Sequence, residues 1–167
     1  MRSARPEVLI EAELGYIGSS SVIMDAIPEG AAVKKEDLTD PAIAARFVRE
    51  TGVDLLAPAV GNLHGMFKNA PNPDLDIARI ATLRDAVGIP MVLHGGSGIK
   101  NDDFIAAIQN GISIVHINTE IRLAWRQGME RALREKPDEV TPYKLLSDSV
   151  EAVKRVVTER LTLFNGK

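Results

Sequence analysis

Three histidines, His64, His94 and His116, carry the densest chemistry in this 167-residue chain. Each stands at the end of an apolar run that reads as a β-strand. His64 and His94 are each followed by glycine and would project from neighbouring strands onto one rim. Two neutral imidazoles so placed form a natural pair of metal ligands. Taken singly, each could be a rim residue held by a structural hydrogen bond. A catalytic zinc ordinarily takes three protein ligands and a water, so the pair calls for a third donor. Glu11 and Glu13 lie two apart on a predicted strand and therefore point to the same side. They suit metal ligation, proton transfer or a hydrogen-bonded pair of rim carboxylates equally well.

Two glycine-rich or helix-opening turns follow the last two strands. Gly95-Gly96-Ser97-Gly98 lets main-chain amides approach an anion, and Asn118-Thr119-Glu120 opens a helix whose N-terminus adds positive potential. The plainer alternative for the first is a tight turn, but the two together favour a phosphate cradle. Arg122, one turn into that helix, could meet a second anionic group or simply face solvent. No lysine falls inside a predicted strand, which argues against a Schiff-base lysine.

The elements that must position these groups alternate regularly. Strands are expected over 7–14, 54–60, 89–94 and 112–118. Helices are expected over 41–51, 75–87, 101–110 and 119–134, and a final amphipathic helix over 142–164. Thr39 or Asp40 with Pro41 opens the first helix, and Asn101 is the expected cap of the third. Residues 15–38 show little periodicity and read as a mobile loop over the site. Strand–helix alternation with apolar strands implies an α/β domain built on a parallel sheet, either doubly wound or a barrel. Residues 1–167 read as a single domain. All the polar groups sit at the carboxyl ends of strands, where a (β/α)8 barrel holds its active site.

Composition narrows the function classes. The formal net charge is −3, and no basic cluster offers a nucleic-acid surface. The chain has no cysteine, so any metal must be held by His, Asp or Glu. No apolar run approaches a membrane span and no signal-peptide pattern opens the chain, so a cytoplasmic protein is expected.

Four stretches in order, Glu11-Ala12-Glu13-Leu14-Gly15, Gly61-Asn62-Leu63-His64-Gly65, His94-Gly95-Gly96-Ser97-Gly98 and Ile117-Asn118-Thr119-Glu120-Ile121-Arg122, resemble the class II, metal-dependent fructose-bisphosphate and tagatose-bisphosphate aldolases. The resemblance implies a TIM (β/α)8 barrel of which this chain supplies the second half, strands five to eight. It implies Zn2+ or another divalent metal held by His64 and His94, with Glu13 as a carboxylate near a second metal position. It also implies a phosphate cradle from Gly65, Gly95, Gly96, Ser97, Asn118 and Thr119, with Arg122 toward the distal phosphate. The expected reaction is reversible aldol cleavage of a ketose bisphosphate.

Three departures accompany the resemblance. The family's opening half carries a third zinc histidine and an acid/base aspartate, and no histidine precedes His64 here. No catalytic acid/base is therefore identified within the chain. Ser19, Ser20 and Ser21 stand where the family's loop often has acidic residues. His116 stands where the family usually has an asparagine that contacts substrate. A half barrel has two open sheet edges. The expected partners are therefore a sugar-phosphate substrate and either an N-terminal half-barrel or a second copy of the chain.

Overall fold

A computed structural model describes residues 5, 7–19, 21–27, 29, 33–68 and 72–166. Its main sheet has four parallel strands, β1 (Glu11–Leu14), β3 (Leu55–Pro58), β5 (Met91–Leu93) and β6 (Ile112–Val115), in the order β1-β3-β5-β6. Between them run the helices α1 (Pro41–Thr51), α2 (Ile77–Val87) and α3 (Asn101–Asn110). Two more helices, α4 (Thr119–Glu135) and α5 (Pro142–Phe164), follow β6.

The strand order follows the chain without reversal, whereas a doubly wound sheet reverses at a switch point. One core joins the strands to the helices. Leu56, Met91, Leu93 and Ile112 meet Ala44 of α1, Ile80 and Leu83 of α2, and Phe104 and Ala107 of α3. These helices therefore share one face of the sheet. This is the local arrangement of a barrel wall, as expected. Phe104 is fully buried and meets Phe164 edge-on at 5.2 Å between ring centroids.

Local chemistry explains where helices begin. Asp40 accepts hydrogen bonds from the amides of Ala42 and Ile43, both at 2.9 Å, and Pro41 fills the first turn of α1. Asp76 caps α2 through the Arg79 amide. The expected Asn101 cap is not formed. Lys100 holds the cap position without capping the helix, its ammonium pairing with Asp74 instead, and Asn101 is the first helical residue. Asp102 and Asp103 in the first turn complement the helix dipole instead, and Asn101 Oδ1 accepts a bond from Arg160.

Every strand of the main sheet is shorter than expected. The ends of the apolar runs turn to side chains: the Ala59 amide is shared between Thr39 Oγ1 and the Leu14 carbonyl, and the Val60 amide donates to Asn62 Oδ1. The 15–38 segment contains a strand that periodicity did not reveal. There β2 (Ile23–Met24) pairs in parallel with β4 (Met66–Phe67). Ile17 is buried beside Ala59, which anchors the base of the segment; its expected mobility remains a proposal. Ser20, at the centre of the expected serine run, lies outside the described residues.

α5 lies against α4 through Ser149, and the apolar stripe expected to find a partner there stays largely in solvent, with Leu146, Val150, Val157 and Leu161 exposed. Gly128 makes the close approach possible, because a Cβ there would sit 2.6 Å from the Ser149 Cα. The Ser149 hydroxyl donates to the Trp125 carbonyl at 2.8 Å. Arg160 clamps α5 to the start of α4 by a two-point bond to Glu120, at 2.8 and 2.7 Å. Its guanidinium also lies 5.2 Å from the Phe104 ring centroid. Among the described residues, no helix is long and apolar enough to cross a membrane.

Candidate metal centre

The parallel register sets the rim. Glu11 and Glu13 are partnered with Leu55 and Ala57 of β3, so the four side chains share the sheet face away from the helices. Ala57 has no side chain beyond Cβ, which leaves a gap through which the β1 carboxylates reach β5. There His94 Nδ1 lies 2.8 Å from Glu13 Oε2, and Nε2 lies 2.7 Å from Glu11 Oε1. On the other flank Leu93 pairs with Val115, so His94 and His116 are the next residues along β5 and β6. Their rings stack at 4.7 Å. His64 lies beyond β3 in the turn after Asn62, with its ring centroid 5.8 Å from that of His94.

The donor chemistry of this group fits a divalent metal. His64 Nδ1 is 2.9 Å from the Gly18 carbonyl oxygen. A carbonyl only accepts, so Nδ1 carries the proton and Nε2 keeps its lone pair. That is the usual support for a metal-binding imidazole. Donor atoms of Glu13, His64 and His94 lie within 4.8 Å of one another. Glu11, His94 and His116 form a second such group.

Beside these donors is a cavity of about 640 Å³, lined by His64, Gly65, His94 and the two turns expected to cradle phosphate, including Gly95, Gly96, Ser97, Asn118 and Thr119. Gly95 adopts φ +62, and a Cβ there would collide with the Leu63 carbonyl, so only glycine fits. Some of the cradle's amides are already engaged. Buried Ser97 accepts through Oγ from the amides of Asn118 (3.3 Å) and Glu120 (3.2 Å), and the Gly96 amide donates to the His116 carbonyl. Arg122 lies farther out, where Nη1 donates to the Ser21 carbonyl at 3.3 Å. No strand carries a lysine among the described residues.

The chain matches the family described as fructose-bisphosphate aldolase class-II over residues 2–167. It belongs to that family. It is 35% identical to the fructose-bisphosphate aldolase of Geobacillus stearothermophilus over 95% of its own length and 52% of that protein. The crystal structure of the YdjI aldolase from Escherichia coli K12 superposes with a TM-score of 0.72 at 34% identity, covering 96% of this chain and 51% of that one. Fructose-bisphosphate aldolase from Campylobacter jejuni, at 20% identity and a TM-score of 0.70, shares the fold. The chain thus spans about half the length of the aldolases it matches.

Two residues that hold this family member's rim together were not singled out for a role from sequence. Buried Asn62 accepts from the Val60 amide and donates to the His94 carbonyl at 3.0 Å, fixing the end of β5. Buried Asn72 donates to the carbonyls of Gly65 and Ser97, tying the two glycine-bearing turns together. In the sequence Asn72 stands between two prolines, where asparagine signals only a loop. Glu120, read from sequence as part of the cradle, spends its carboxylate on Arg160.

Proposed function

We propose that this chain forms the carboxyl-terminal half of a class II aldolase barrel and takes part in reversible aldol cleavage of a ketose bisphosphate. Fructose 1,6-bisphosphate is the substrate class, and dihydroxyacetone phosphate and glyceraldehyde 3-phosphate are the products. The observation that carries this reading is the convergence of Glu13, His64 and His94 beside a cavity walled by two helix-opening turns. Family membership supports the same chemistry.

His64 and His94, with Glu13, would hold Zn2+ or another divalent cation. Such an ion, when bound, polarises a ketone oxygen and stabilises the charge that develops on it. The chain's own residues do the rest. The Gly18 carbonyl fixes the His64 tautomer, and Glu11 at Nε2 orients the His94 ring. The turns at 95–98 and 118–119, with Gly65, receive one phosphate. Ser97 keeps those turns in register through the amides of Asn118 and Glu120. His116 faces the substrate oxygens, and Arg122 turns toward the distal phosphate. The 15–38 segment acts as a lid that excludes water. The remaining ligands and the acid/base come from a further half-barrel, the setting is cytoplasmic, and the chain works with that half or with a second copy.

The test is a triose-phosphate release assay on fructose bisphosphate with zinc titrated in. It is run on the chain alone and with a polypeptide supplying the rest of the length found in the relatives. Cleavage only in the combined sample, and lost with His94→Ala, is the expected result. Zinc binding without cleavage in any combination would instead indicate a non-catalytic phosphate-binding relative.

A further inference from the structure

His94 has a carboxylate on each ring nitrogen, Glu13 at Nδ1 and Glu11 at Nε2, and each carboxylate belongs to a different cluster of donors. On one side stands His64 with Glu13, and on the other His116 with Glu11. We propose that Glu11, His94 and His116 form a second position for a divalent cation, alternative to the one formed by Glu13, His64 and His94.

The set is two imidazoles and one carboxylate, a combination that suffices for a catalytic-type zinc site with water in the open place. It is complete within this chain. The strand register holds it in place: the His116 amide donates to the Leu93 carbonyl at 2.9 Å, which fixes His116 beside His94. Its side chains are also reachable, since Glu11 and His116 are exposed and His94 is half-buried.

The two positions exclude each other because of the shared ring. A neutral imidazole offers one lone pair, and its other nitrogen carries a proton. With the ion on Nδ1, Nε2–H donates to Glu11. With the ion on Nε2, Nδ1–H donates to Glu13. Each carboxylate is thus a ligand in one arrangement and the orienting partner in the other, the role an outer carboxylate plays toward a metal-bound histidine. One ion can therefore occupy either flank of the rim, and the tautomer of His94 follows the choice. The inference shares His94 with the proposed aldolase centre but does not depend on cleavage activity.

The test uses the full chain, stripped of metal and titrated with Zn2+ against a chromophoric chelator. The wild type is expected to bind one equivalent. His64→Ala retains one equivalent, held by the Glu11 flank. Adding His116→Phe, which keeps a ring stacked on His94 but removes its nitrogens, weakens that remaining site by on the order of 100-fold or more. Adding Glu11→Gln instead gives the same loss by a separate route and decides the matter if the phenylalanine variant does not fold. Complete loss of zinc in His64→Ala alone, or no change on adding His116→Phe or Glu11→Gln, would overturn the second position. Two equivalents on the wild type would overturn the exclusion. Failure of the cleavage assay leaves all of these outcomes readable.

Discussion

The two faces of one four-stranded sheet have opposite characters. Toward the helices, Leu56, Met91, Leu93 and Ile112 are closed into a dry core with Ile80, Leu83 and Phe104. On the other face the same strands carry Glu11, Glu13 and Ile114, and Ile114 keeps 37% of its surface exposed. The comparison teaches that stability and chemistry have been assigned to different sides of the strands. The closed side holds the fold, and the open side can change its polar groups at little cost.

The sharpest way to break this comparison is to damage each face once. Phe104→Ala opens a cavity in the closed face and should lower unfolding free energy by about 3–5 kcal/mol. His116→Ala, on the exposed rim, should change it by less than about 1 kcal/mol. Denaturant titration of both variants measures the difference, and similar losses would remove the distinction. Arg160→Met tests the seam between the helices. It strands the Glu120 carboxylate, which is only 13% exposed, and should cost about 3 kcal/mol in the same titration.

The smallest effect lies in the turn between α4 and α5. Glu139 accepts from the amides of Val140 and Thr141 and pairs with Lys144 at 3.0 Å. Bonding to Thr141, then to Lys144, lowers its pKa from 4.5 to about 2. A carboxyl whose pKa is depressed on folding contributes stability above its unfolded value, and that contribution fades as pH falls. Melting temperatures of the wild type and Glu139→Gln should therefore differ at neutral pH and converge between about pH 4.5 and 2. The gap should shrink with added salt.

Local signals made the helix side legible. Asp40-Pro41 and Gly52 bracket α1 because caps and stops act within a turn of chain. The rim was legible where one residue type recurs at strand ends: His64 and His94 were expected to be neighbours, and their rings are 5.8 Å apart. What escaped depends on partners distant in sequence. The β2–β4 pair is two residues long, too short to show a period. Asn72 acts through carbonyls 7 and 25 positions away. The engagement of the Asn118 and Glu120 amides by Ser97 is visible only once two strands are laid side by side.

Anomalous diffraction at the zinc edge, from crystals of the chain grown with Zn2+, tests most directly that the rim converges on His94. The predicted map has its zinc density within bonding distance of a His94 ring nitrogen, on the Glu13–His64 flank or the Glu11–His116 flank. Zinc bound only at sites that do not touch His94, or no zinc on the rim at all, would contradict the account.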